Sequence, residues 1–240
     1  MDKIAEGIVD KLSIIGFFNA ILSGGVLLYG ISPILNRYAP ELFYLKLGLE
    51  KDIEKAIVLF LACYILGNAL QSLQEFLFKG LKASVVNRCL AGPDKTEKNV
   101  PGKNVLANTY KREVNVKLAA KLFSEKELGE FDPNNKEMCS YFVDYCDYSN
   151  SFKGFGSKAG RLSESATLFE QLAVVFYMLA FLGIIVILCT HNGEWPYCVG
   201  YLAMGGIFTG RAYQCRLNWV RMVLSTYEAV ADQESSDGSK

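Results

Sequence analysis

Four amides, Asn19, Asn68, Gln71 and Gln74, lie inside otherwise apolar stretches, where an amide has few partners to choose from. In hydrocarbon such a group either hydrogen-bonds a neighbouring helix or faces water in a conduit. Asn68, Gln71 and Gln74 recur at three-residue steps, close to one face of a helix. Both uses, helix glue and pore lining, stay open from the sequence. A second set is cationic: Lys79, Lys82 and Arg88 follow the second apolar stretch, and Arg211, Arg216 and Arg221 follow the fourth. Lys111, Arg112, Lys117 and Lys121 lie between the second and third stretches. Arginine forks and lysine ammoniums hold phosphate oxygens, and Tyr141, Tyr145 and Tyr148 have faces on which bases stack. An anionic ligand, a nucleotide or oligonucleotide, fits this set; so do lipid headgroups and pairing with nearby acids.

Catalytic chemistry finds no purchase. The single histidine, His191, has no nucleophile motif beside it, and no P-loop is present. Gly154-x-Gly156-x-x-x-Gly160 lacks dinucleotide-fingerprint spacing and reads as a hinge. Asp144 and Asp147 are neighbours on a helix and read as a solvated face. The seven cysteines contain no CxxC pair, so neither a zinc site nor any cofactor is expected. Cys189 and Cys198 flank one turn and could pair, but two small apolar side chains in helices is the simpler reading. The expectation is a protein without enzymatic activity.

The elements that position these groups are four uncharged apolar runs, residues 12–35, 56–74, 171–192 and 195–210. The first has 24 residues, which as a helix covers about 36 Å, enough to cross a hydrocarbon core of about 30 Å. The second and third also suffice by length; the fourth, with 16 residues, is the shortest, and Trp195-Pro196-Tyr197 gives it an interfacial anchor. Charge sets the orientation. The segment 75–170 holds 15 of the 25 Lys and Arg, and the turn between the third and fourth runs holds none. The positive-inside rule then places that segment and both termini in the cytoplasm. No acid or base is expected deep in a span, which argues against a proton-coupled carrier. A formal net charge of +0 argues against a uniformly basic nucleic-acid-binding surface.

The expected fold is all-α: an integral membrane protein with four transmembrane helices and a helical cytoplasmic region. Residues 1–74 form an amphipathic lead-in and the first helix pair, 75–170 the cytoplasmic region, 171–210 the second pair, and 211–240 a cytoplasmic helix with a disordered tail. Gly16, Ala20 and Gly24, and again Gly206 and Gly210, are small residues at helix-packing spacing. Ser32-Pro33 is expected to end the first helix, and residues 105–131 to form an amphipathic helix stopped by Asp132-Pro133. Asp132 or Asn134 would cap the next helix over 136–148. Leu42, Phe43, Tyr44, Leu45 and Leu47 crowd the outer loop after the first run and should be buried. The cytoplasmic region looks too short of a separate core to stand as a catalytic domain.

The layout resembles the small four-span membrane effectors of prokaryotic anti-phage defence, those of the Hailong type among them. The residues that carry the resemblance are Gly160-Arg161-Leu162-Ser163-Glu164-Ser165 before the second helix pair and Arg211-Ala212-Tyr213-Gln214-Cys215-Arg216 after it. The resemblance implies a homo-oligomer in the inner membrane, silent until a nucleotide-type signal changes and then opening or disrupting that membrane. It assigns no ligand to any one residue.

Topology is directly testable. A tag at Asn192 should be labelled from outside intact cells and a tag near Asp94 only after permeabilisation, with Cys139 and Cys146 reactive only from the cytoplasm. External labelling near Asp94 would overturn both the span count and the orientation.

Overall fold

A computed structural model describes residues 2–38, 52–90, 105–152, 154, 157–190 and 195–237, with side chains described over 15–33, 36, 53–90, 113–152, 154, 158–189 and 195–231. The described residues are helical without strands: α1 Asp2–Tyr38, α2 Asp52–Leu90, α3 Val105–Glu125, α4 Lys136–Phe152, α5 Ser157–Thr190 and α6 Trp195–Asp237. The apolar outer loop and the polar loop around Gly92-Pro93 lie outside the described residues. Three helices contain stretches long and apolar enough to cross a membrane: Ile15–Pro33, Ile53–Leu90 and Lys158–Cys189. The fourth run does not reach that composition. Gly200, Gly205, Gly206, Thr209 and the Trp-Pro-Tyr start dilute its apolar residues, and Arg211 closes it.

The chain divides into two compact units. The first holds Met1–Phe78 and Glu164–Ala212. Its tightest contact is between α1 and α2. A methyl group placed on Gly24 would strike the Cys63 carbonyl, and one on Gly67 would strike Ala20. Without a hydrophobic force between helices in lipid, such close backbone approach is what lets dispersion hold them together. Ala20 and Gly24 thus pack within the chain as their spacing suggests, whereas Gly16, Gly206 and Gly210 face open space. Around this crossing, Leu27 of α1 and Leu70 of α2 pack with Val174, Val175 and Leu179 of α5. The α5–α6 pair is an aromatic seam: Phe208 stacks on Phe169 at 6.0 Å and on Phe176 at 5.4 Å. The Tyr177 and Thr209 hydroxyls meet at 3.2 Å, and Gly205 leaves room for the Tyr177 ring.

The second unit holds Lys79–Ser163 and Tyr213–Lys240, and it has a core of its own. The ends of α2 and α6 supply the missing apolar surface. Val85, Val86 and Leu90 of α2 and Trp219, Val220 and Val223 of α6 close over Phe123, Phe142, Val143 and Cys146. Asn150 ties α4 to α6 by donating to the Val223 carbonyl at 2.9 Å.

Helix ends differ from expectation in four places. Pro33 sits inside α1, which continues five residues beyond it to Tyr38; its missing N–H leaves the Tyr29 carbonyl without its helical bond. α3 stops at Glu125, not Phe131. Leu128 N donates to Phe123 O at 2.9 Å and Glu127 N to Ser124 O at 3.2 Å, a Schellman closure. Its left-handed position, normally glycine, is Glu127 at φ 54°. The cap of α4 is Asn135, whose Oδ1 accepts from Glu137 N at 3.0 Å and Met138 N at 3.3 Å, while Asp132 Oδ1 accepts from Asn134 N in the preceding turn. Finally, α6 runs on to Asp237 through most of the segment expected to be disordered.

Gly67→Ala should therefore destabilise the protein by about 1–3 kcal/mol, the usual cost of overpacking, whereas Gly206→Ala should be close to neutral. Thermal unfolding of the two variants in one detergent, side by side with the parent, checks this.

Candidate functional site

The four amides separate into two kinds. Asn19 and Gln74 point inward. Asn19 donates to the Glu164 carbonyl at 3.4 Å, linking α1 to α5. Gln74, 3% exposed, donates through Nε2 to the Glu170 carboxylate, linking α2 to α5. Both are helix glue. Gln71 is half-buried, and its Nε2 reaches Glu75 Oε1 at 3.4 Å, while Asn68 is exposed and donates to the Tyr64 carbonyl of its own helix at 2.9 Å.

The geometry of α2 explains the split. Its packed line is Cys63, Gly67, Leu70 and Gln74, at steps of four, three and four. Five residues on from each lie Asn68, Ser72, Glu75 and Lys79, all exposed. Five residues turn a helix through about 140°, so this second line faces well away from the packing. Toward the start of α2 the same face continues with Leu61 and Ile57, 50% and 54% exposed. The face is apolar over that half and polar from Asn68 to Lys79.

Glu170 is the residue that sequence reasoning missed. It is 1% exposed, an acid inside the apolar unit where none was expected. Its signal was faint: it directly precedes the uncharged run 171–192, so it reads as the end of a polar lead. Helix α5 carries straight through that boundary from Ser157 and turns the carboxylate toward Gln74. Gln171 beside it is also 1% exposed, and its Oε1 has no hydrogen-bond partner, nor has Gln74 Oε1. Ser72 and Glu75 were likewise passed over, although their spacing from Asn68 marks one helical face.

The cationic candidates do not converge on one site. Lys82 and Arg216 both lie over the Trp219 ring, at 5.5 and 5.9 Å from its centroid. Lys82 also pairs with Asp144 at 3.0 Å, and Arg216, 9% exposed, donates to Ser163 Oγ at 3.2 Å. Arg88 is exposed and donates to the Tyr213 hydroxyl at 2.8 Å. Lys121 is exposed near Glu125 at 3.8 Å; Lys79 and Lys117 are exposed. Arg211 is exposed and belongs to the first unit, whereas the others belong to the second. Lys111 and Arg112 lie on α3 with side chains outside the described residues. Of the tyrosines, Tyr141 and Tyr148 are exposed, and Tyr145 is half-buried beneath the Lys126 ammonium at 5.9 Å.

Around Trp219 the electrostatics are close to balanced. Asp147 is no solvated acid. Burial first, and the neighbouring Asp144 second, raise its carboxyl above the ordinary range; the Trp219 N–H and Lys82 pull the other way. That N–H is buried and makes no bond of full hydrogen-bond geometry. Cys139 and Cys146 are fully buried too, and burial pushes the Cys139 thiol up to about 11 and Cys146 higher still. Neither suits accessibility labelling, because both the access and the thiolate are missing; an introduced cysteine at exposed Ser124 replaces them. Cys189 and Cys198 are both free thiols, the first exposed and the second buried against Gly183.

No family model, characterised protein or solved structure matches the chain.

The Asp147 shift has a definite pH signature. An acid whose folded pKa is raised stabilises the fold below its unfolded value, about 4, and loses that contribution as pH rises through the folded value. Asp147→Asn should therefore be more stable than the parent at pH 7, with the difference in Tm closing as the pH falls toward 4. A difference that stays constant over that range would rule the shift out.

Proposed function

We propose that this chain is a multi-pass inner-membrane protein that assembles with copies of itself into a channel or pore, gated from the cytoplasm. The observation that carries the reading is the outward face of α2. Asn68 and Ser72 are exposed, and Gln71 half so, within an uncharged stretch of a helix long enough to cross a membrane. Lipid offers no hydrogen bonds, and Asn68 meets only part of its need on its own helix, at the Tyr64 carbonyl, so the polar groups at that depth call for water or a second protein surface. A ring of copies supplies both, with Asn68, Gln71 and Ser72 toward the axis.

A fourth crossing by residues 195–210 belongs to this reading. Val199, Leu202 and Ile207 are exposed on that segment, which carries no charge, and Trp195 and Tyr197 are exposed at its start, as interfacial aromatics are. Four crossings bring the termini to one side, and the basic excess over 75–170 makes that side the cytoplasm. The gating signal is a nucleotide-type anion, and the resemblance in layout to anti-phage effectors suggests a role in defence. An anion reaching Lys82 has to displace Asp144 from it, so the exposed Lys79, Lys117 and Arg211 are the cations it meets first.

A second reading, a non-conducting structural or partner-binding subunit, is favoured by the inward use of Asn19 and Gln74. Ion flux into liposomes separates the two. In the channel, Asn68→Leu and Gln71→Leu lower conductance while Gln74→Leu chiefly weakens assembly. In the structural subunit no variant conducts. A monomer in detergent that passes no ions under any condition ends the channel reading. If charge removal at Lys79, Lys117 and Arg211 changes neither nucleotide binding nor its salt dependence, the anion gate goes with it.

A further inference from the structure

Resting on the channel reading, a sharper point concerns which ions pass. Asn68, Ser72, Glu75 and Lys79 share one exposed line of α2, and Leu61 and Ile57 continue it outward. Along that line the uncharged run ends at Gln74, so Glu75 is the first fixed charge beyond the apolar half. Its carboxylate is exposed, and the contact at 3.4 Å is with the Gln71 amide, which orients it without neutralising it. The next charge, Lys79, stands one turn further, about 6 Å along the axis. Lys82 beyond it is held by Asp144 and the Trp219 face.

We infer that Glu75 is the selectivity-determining residue, forming a ring of carboxylates at the inner end of the lumen that admits cations and excludes anions. One carboxylate from every copy faces the same narrow volume. Low-dielectric walls focus that field, whereas the Lys79 ring sits nearer bulk water and is screened more strongly. Rings of Asp or Glu confer cation selectivity by this means. The ligand class is therefore a small hydrated cation, bound weakly enough to leave.

The test is the reversal potential of the full-length protein in planar bilayers under a potassium chloride gradient. Parent channels should favour K⁺ over Cl⁻ by about tenfold or more, the scale on which focused fields enrich counter-ions. Glu75→Gln should bring the ratio toward one, Glu75→Asp should retain it, and Glu75→Lys should invert it. Lys79→Gln should raise it; should the Glu75 variants fail to assemble, this direction alone decides the sign. Size-exclusion profiles like the parent's show that assembly is intact. Parent channels that conduct without cation preference, or a Glu75→Gln channel with unchanged preference, overturn the assignment and leave the channel standing. No conductance from any protein removes the channel reading itself, and the assignment with it.

Discussion

The close approach of α1 and α2 is the contact on which the first unit depends. Ala20 and Gly24 meet the backbone at Cys63 and Gly67 with no room for another methyl. In lipid the helices gain nothing by hiding apolar surface from one another, so this dispersion-rich contact is where specificity comes from. It also fixes how α2 is rotated. Once Cys63, Gly67, Leu70 and Gln74 face inward, Asn68, Ser72, Glu75 and Lys79 have no choice but to face out. Which side chains α2 leaves exposed is thus set by a packing decision on the far side of the same helix.

Buried polar groups do a second job. Gln74 on Glu170 and Asn19 on the Glu164 carbonyl join α5 to α2 and α1 where apolar contact would leave several registers nearly equal in energy. One buried acid with a matched amide breaks that degeneracy, at a cost in desolvation that only the right register offsets. In the second unit the equivalent discipline comes from Asn150 on Val223 and from Lys82 and Arg216 against the Trp219 ring. Those two cations were candidates for a ligand because of their sequence positions; the structure gives them internal partners. Lys79, Lys117 and Arg211, by contrast, are exposed on α2, α3 and α6.

Several features were legible from residue types alone because they depend on short-range physics. The apolar runs announce themselves by the absence of charge over about 20 residues, a length that calls for helix. The fourth run shows the limit of that signal, since its glycines and interfacial aromatics dilute the hydropathy that length alone suggested. The helix ends were less legible. Asn135 caps α4 rather than Asp132 or Asn134, and Glu127 takes the left-handed position that glycine usually marks. Each depends on the geometry of one turn, which composition does not resolve.

By itself, then, the sequence determined that the chain is helical, where its apolar stretches lie, and that amides and cations gather where the second run ends, with more cations just after the fourth. It did not determine what those side chains face. Asn68 and Gln74 are alike in type and nearly alike in surroundings along the chain, yet one is exposed and the other is bonded to a buried glutamate. The difference is a rotation of about 120° on one helix, and rotation is a property of contacts between helices. Only the tertiary structure holds it, because a helix's own backbone hydrogen bonds are satisfied equally well whichever face is turned inward.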